Sequence, residues 1–456
     1  MMNTFPVCMC VCTTCAVAAT ATPLVVESPS PYTLCQRKSP AGGEIPVRGR
    51  LTAAGDAAQV EARFGEGEWQ ALRVDVNEGR FSGTVQGATG QDSLEVRHVA
   101  QPDTVVSVQP VAIGDLFVVT GQSNADGRGS VHVTLNEENP CLGMKYRAGT
   151  WSRGDDPSDN AGKHASPWPI VLNQLIPEQR VPIGFIQTAV GSTVVKQWRA
   201  TGNMFQRMEK IVRNATAGTL QVKAVLYYQG ENDITHHNTL SVLGDYDQYR
   251  THLRAVVSDM HALFGAPVLV GQITNLLNLR DRNDGVRRAQ QELWEESPHA
   301  LPGAVTYDIF PTDGVHYRDA ENMRAFAERW TQAIRNAIYA APPTPRPKLT
   351  ALAAVGKRTL TLTYDLPLRI ATWGGKAGAK AAGFRVAAGT EVLTDDAVDA
   401  TRIEGALVTV SWNRDLPGGG RLWYGSGSDG QGKPILRDAE TGLPIPMLFG
   451  VPIPME

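Results

Sequence analysis

No apolar run in these 456 residues approaches the roughly 20 needed to cross a bilayer as a helix, so no membrane span is expected. An excess of one charge is also missing. The chain sets 43 Lys and Arg against 46 Asp and Glu, a formal net charge of −3. That balance gives no electrostatic reason to expect nucleic acid or an anionic membrane as a partner. Metal motifs are scarce. No His-Glu-x-x-His occurs, and the acid run Asp155-Asp156-Pro157-Ser158-Asp159 reads as a solvated loop rather than a calcium site. No Gly-x-Ser-x-Gly elbow occurs, which argues against the α/β-hydrolase fold. Gly425-Ser426-Gly427-Ser428-Asp429-Gly430 fits a dinucleotide fingerprint literally, but it lies in a turn-rich β region with no helix behind it. Neither a metal nor a cofactor is therefore expected.

Cysteine is sparse and oddly placed. Four of the six, Cys8, Cys10, Cys12 and Cys15, fall in the first 15 residues. No histidine lies near them, and their spacing matches no common zinc pattern. The stretch Phe5–Ala21 is apolar, rich in small residues, and ends like a small-x-small cleavage site. It lacks the basic start of a typical signal peptide, yet residues 1–21 read best as a removed export signal, which makes this an exported protein. Cys35 and Cys141 remain, and whether they pair is open.

A chain of this length divides into several domains. From 27 to 110, Val60/Ala62/Phe64, Leu72/Val74/Val76, Phe81/Gly83/Val85 and Leu94/Val96 alternate between glycine-rich turns, the pattern of a β-sandwich. From 111 to 341 the pattern changes. Five apolar runs, Leu116–Thr120, Pro182–Gln187, Lys223–Tyr228, Pro267–Ile273 and Ala304–Ile309, alternate with helical stretches at Met204–Ala215, Tyr246–Phe264, Val286–Glu296 and Ala320–Tyr339. Such alternation predicts a parallel, doubly wound α/β sheet. Residues 342–348 are a proline-rich linker, and 349–456 read as a second β domain, with strands at Leu360–Tyr364, Gly383–Ala388, Leu407–Trp412 and Leu422–Tyr424.

Four segments directly follow the predicted parallel strands: Gly121-Gln122-Ser123-Asn124, Gly191, Gln229-Gly230-Glu231-Asn232-Asp233 and Asp313-Gly314-Val315-His316. Open α/β sheets bind their ligands at that edge. A serine hydroxyl is a poor nucleophile without an adjacent base. His316 is the candidate base and Asp313 the carboxylate that orients it. Gly191 and Asn232, with Ser123, are candidate oxyanion donors. Each segment alone reads equally well as a turn or a helix cap, but four together at one edge do not. Trp198 is a candidate sugar platform or else a residue packed on the sheet. Gln122 is a candidate substrate-binding residue, and Gln229 and Glu231 are candidate substrate-binding residues or braces of the loop. His236 and His237 read as loop residues.

These blocks resemble the SGNH hydrolase superfamily, and more narrowly the sialate O-acetylesterase-like carbohydrate esterases. The match runs strongly from about Gly114 to Tyr339. The resemblance implies a flavodoxin-like parallel-sheet core flanked by β-sandwich-type domains, and an esterase acting on an acetylated carbohydrate without metal or cofactor. Gln122 stands where lipase-type members carry aspartate, as in the acetylesterase branch. Two rivals remain: a short-chain or lipid esterase of the same class, and a catalytically silent carbohydrate-binding protein. Ser123→Ala and His316→Ala should each lower kcat by several orders of magnitude, leaving at most the roughly 10³–10⁴-fold acceleration of binding and oxyanion stabilisation. Steady-state kinetics on a chromogenic acetate ester, with circular dichroism as a folding control, checks this.

Overall fold

The computed structural model describes residues 24–52, 59–235, 240–277, 279–340, 342 and 344–454. The expected export signal with its four cysteines, and His236 and His237, lie outside the described residues. The central sheet contains six parallel strands, with Thr150–Arg153 added antiparallel at one edge: β1 (Val105–Gly121), β2 (Gly143–Arg147), β3 (Ile183–Gln187), β4 (Ala224–Tyr228), β5 (Val268–Gln272) and β6 (Ala300–Val305).

The fold turns on β1. Its first six residues are exposed or half-buried, and the next eleven, Val111–Gly121, are all buried. That change marks a change of partner, since one-sided antiparallel strands alternate and parallel strands covered on both faces do not. Val105–Ile113 pair antiparallel with Gly90–His98, at the end of a sheet formed by the six preceding longer strands. That sheet curls around a core that includes Ile45, Val47, Phe81, Leu94 and Val111. The second part pairs in parallel with β3 and β4. The boundary expected at residue 110 therefore falls inside a strand. Buried Asp115 fixes the junction further. It takes two bonds from Arg37, at 2.8 and 2.7 Å, and one from the Tyr339 hydroxyl at 3.0 Å.

The parallel strands stand in the order β2-β3-β1-β4-β5-β6. The chain builds outward from β1 on one side, then returns past it to β4. The strand order thus reverses between β1 and β4, where doubly wound sheets open a crevice. Five helices cover the sheet: α1 (Trp168–Gln179), α2 (Asn203–Ala215), α3 (Tyr246–Phe264), α4 (Arg280–Glu296) and α5 (Ala320–Ile334). α1 packs on α5, and α3 on α4.

Several expected boundaries move. β6 ends at Val305 rather than running over 304–309. It pairs only with β5 and carries Pro302, which has no amide hydrogen to donate, as suits an edge strand. After it the side chains turn toward the C-terminal β region: Tyr307 donates to the Ile445 carbonyl at 2.9 Å, and Asp308 meets Arg329 at 2.7 Å and Arg437 at 2.5 Å. α4 starts at Arg280, because its polar first turns dock the Gly425–Gly430 loop. Arg280 binds Ser426 and Asp429 there, and Arg287 donates to the Gly427 carbonyl at 2.9 Å. The fingerprint-like glycines thus form a docking loop. The last helix passes into a π turn over Arg335–Tyr339. The acid run is not simply solvated: Asp159 is fully buried and accepts the Lys163 and His164 backbone N–H groups.

In the C-terminal region, strands Thr359–Tyr364, Phe384–Ala388, Leu407–Trp412 and Arg421–Tyr424 form two four-stranded antiparallel sheets with their neighbours. Their core is continuous with Val305 and Tyr307. The linker is docked, with the Arg346 guanidinium 4.9 Å above the Trp294 ring. Cys35 and Cys141 are free thiols, and burial pushes Cys35 up to about 12. Among the described residues no helix is long and apolar enough to cross a membrane, and no group of three His, Cys, Asp or Glu is arranged to hold a metal ion.

Asp308, Arg329 and Arg437 have side chains at most 3% exposed. Removing the shared carboxylate strands two buried cations. Asp308→Ala should therefore destabilise the protein by roughly 3–5 kcal/mol, read as a lower denaturant midpoint for the transition of the C-terminal β region.

Candidate active site

Gly121 sets up the site. Its φ is +117°, and a Cβ there would lie 2.0 Å from the Tyr228 carbonyl oxygen, so only glycine lets β1 turn this close to β4. The chain then enters the one-turn helix Ser123–Asp126. The Ser123 hydroxyl stands 3.1 Å from His316 Nε2, and His316 Nδ1 stands 3.2 Å from Asp313 Oδ2. The other Asp313 oxygen accepts the backbone N–H groups of Val315 at 2.9 Å and His316 at 2.5 Å. These bonds fold the loop after β6 into a turn that presents the imidazole to β1. The sequence spacing of Asp313 and His316 therefore works through backbone bonds as well as through the ring.

Electrostatics favour a neutral imidazole beside a charged carboxylate. Burial pushes the Asp313 carboxyl up, but the His316 N–H, the Arg318 guanidinium, the Val315 N–H and the His316 ring outweigh it and hold the carboxyl well below its ordinary range. Burial lowers His316 below its ordinary 6.5. The Asp313 bond and charge oppose this, and the Arg318 and Arg128 cations reinforce it. An imidazole that is neutral, hydrogen-bonded to a hydroxyl and oriented by a carboxylate can take a proton from that hydroxyl.

Gly191 and Asn232 flank Ser123. A Cβ on Gly191 would lie 3.7 Å from Ser123 Cβ and 2.7 Å from an Arg128 guanidinium nitrogen, so a side chain there would crowd the nucleophile. The Asn232 amide donates to the Ser192 carbonyl at 3.1 Å, and its backbone N–H donates to Gln122 Oε1 at 3.1 Å. One amide hydrogen of Asn232 is left for a ligand, because an NH₂ group carries two.

Of the two readings open for Trp198, Gln229 and Glu231, the structure shows the packed or bracing one, and Gln122, expected to bind substrate, is also engaged by the protein. Trp198 is fully buried, donates to the Thr193 hydroxyl at 3.1 Å and packs edge-on against Tyr227. It is a core residue with no face open to a sugar. Gln229, also fully buried, donates to Asp233 at 2.7 Å and accepts from the Tyr227 hydroxyl at 3.2 Å. Gln122 Oε1 accepts from Gln229 at 3.3 Å and from the Gly230 and Asn232 backbones. Burial pushes Glu231 up to about 7, and its carboxyl accepts from Asn124 at 2.9 Å. These three brace the switch point between β1 and β4.

Sequence reasoning missed three residues. Asn124 donates to Glu231 and to the Val315 carbonyl at 3.1 Å, and accepts the Tyr317 N–H at 3.4 Å, so it ties the serine turn to the histidine loop. Arg318 grips Asp313 at 2.5 Å. Arg128, held to Asp126 at 2.7 Å, brings a cation beside Gly191. Only Asn124 lay within a motif already singled out.

Residues 113–334 match the family model described as carbohydrate esterase, sialic acid-specific acetylesterase. This segment is therefore similar to the carbohydrate esterases. A probable carbohydrate esterase of Arabidopsis thaliana is 27% identical over 172 residues, 32% of this chain and 65% of that protein, so the chain covers just under two thirds of that relative. A solved carbohydrate acetylesterase from Xanthomonas citri shares the fold with a TM-score of 0.61 at 19% identity, covering 92% of this chain and 97% of its own.

The Ser123–His316–Asp313 geometry makes a pH prediction. Its histidine must be neutral to accept a proton, and the folded value lies below 6.5. Activity should therefore be full at neutral pH and be lost as pH falls through an apparent value below 6.5. Arg318→Gln removes one cation that lowers His316 and one bond to Asp313, so the acid limb should move to higher pH. A kcat/KM–pH profile of both proteins reads the shift.

Proposed function

We propose that this protein is a carbohydrate O-acetylesterase that hydrolyses O-acetyl esters on a sugar by a Ser-His-Asp mechanism. One observation carries the reading: the unbroken Ser123–His316–Asp313 line of hydrogen bonds at the switch point of the sheet. In this mechanism the Ser123 oxygen attacks the acetyl carbonyl while His316 Nε2 takes the hydroxyl proton. The Ser123 and Gly191 backbone N–H groups and the Asn232 amide stabilise the oxyanion, whose charge exists only in the tetrahedral state. His316 then returns the proton to the departing sugar oxygen, leaving acetyl-Ser123. Water, deprotonated by the same imidazole, releases acetate. Asp313 stays ionised throughout and supports the imidazolium.

Sialate is the sugar this reading favours. The family description names it, and Arg128 offers a cation beside the nucleophile for an acidic sugar. The polar surroundings of Ser123, with Arg128, Asn232 and Gln122 close by, suit an acetyl group better than a long acyl chain. A non-catalytic binding protein would need none of the Ser123–His316–Asp313 geometry.

Activity on p-nitrophenyl esters should fall steeply from acetyl to octanoyl, and acetate should be released from O-acetylated sialic acid faster than from acetylated xylan. Rising activity with acyl length would support a lipid esterase instead. Absence of any acetate release from acetylated glycans would contradict the proposal.

A further inference from the structure

The loop that delivers Asp313 and His316 begins with the exposed side chain of Phe310. At 56% exposure, Phe310 is the one aromatic among the described residues that is left open to solvent. Its neighbours Ile309 and Pro311 are buried, so the ring projects alone from a fixed backbone. Two residues separate it from Asp313, so three backbone steps give a reach of at most ~11 Å.

Phe310 lines an open groove of about 750 Å³ between the central sheet and the C-terminal β region, a size typical of ligand clefts. Trp373 lines the same groove, half-buried and packed against the core of the central domain. The two walls are bonded together beneath the groove. The Gly432 N–H donates to the Asp308 carbonyl at 3.0 Å, and the Gln431 amide donates to the Ile309 carbonyl at 3.3 Å. The buried Asp308–Arg329–Arg437 cluster lies directly below them. Both aromatics therefore line one groove whose backbone is pinned by these bonds.

The lining identifies the occupant. Apolar faces from Phe310 and Trp373 share the lining with polar groups from Asp319, Glu321, Asn322 and Lys433. A pyranose has apolar C–H faces and hydroxyl edges, which this lining complements. An acyl chain would meet the polar groups without satisfying them. A polyanion would meet Glu321, while Lys433 is already paired with Asp395 at 3.4 Å.

We propose that this groove is a second carbohydrate subsite, in which Phe310 and Trp373 hold an uncharged sugar unit of the chain whose acetyl group lies at Ser123. The proposal rests on the carbohydrate-esterase reading of Ser123. Loss of the Phe310 ring should therefore weaken sugar binding by about tenfold.

The test uses the full chain carrying Ser123→Ala, titrated calorimetrically with unacetylated xylohexaose, cellohexaose, 3′-sialyllactose and a sialic acid homopolymer. At least one chain containing neutral sugars should bind, and adding Phe310→Ala or Trp373→Ala should weaken it about tenfold. In the otherwise native enzyme, Phe310→Ala should raise KM for the acetylated form of that chain. No binding by any neutral-sugar chain, binding of the homopolymer alone, or equal affinity with and without Phe310 would overturn the subsite. Phe310-dependent binding without acetate release from any glycan would instead overturn the esterase reading and leave the subsite standing. Acetate release unaffected by Phe310→Ala would do the reverse.

Discussion

A serine hydroxyl becomes a nucleophile only while a neutral imidazole stands within hydrogen-bond reach. In this chain the two groups are 193 residues apart and meet at 3.1 Å. The rest of the fold can be understood as holding that distance. Parallel strands bring both loops to one edge of the sheet, and the reversal of strand order between β1 and β4 opens the crevice where they meet. Asn124 then ties them directly, bonding Glu231 after β4 and the backbone on either side of His316. Asp313 folds its own loop through two backbone N–H groups before it orients the ring.

Beneath this edge lies a buried polar layer of Gln122, Gln229, Glu231 and Asp233. Desolvation is costly for such groups unless each finds a partner. Gln229 alone joins Gln122, Thr193, Asp233, Tyr227 and Tyr249. A layer so connected fixes the serine turn relative to the Gly191 and Asn232 loops. That is why motif residues that look suited to substrate are engaged by the protein itself.

The sheet was legible because an apolar run that stops at a small-polar turn is what a buried parallel strand requires, and α3 falls where its periodicity puts it. Ser123, His316 and Asp313 were legible because their chemistry is specific to residue type and each sits at a strand end. Trp198 was not: a tryptophan near a site reads the same in sequence whether its ring faces solvent or core, and here the Thr193 hydroxyl and Tyr227 take it inward. β6 was misplaced because Tyr307 and Ile309 are buried against other parts of the chain, which gives a loop the hydrophobicity of a strand. Arg318 and Arg128 carried no motif, and only the folded chain shows that their charges reach His316.

The central claim is that His316 activates Ser123, and covalent labelling tests it most directly. Treatment with a fluorophosphonate should add one phosphonyl group to the protein. Peptide mass spectrometry should locate that group on Ser123, and His316→Ala should slow the labelling by orders of magnitude. Labelling at another residue, or labelling of Ser123 at the same rate in His316→Ala, would contradict the account.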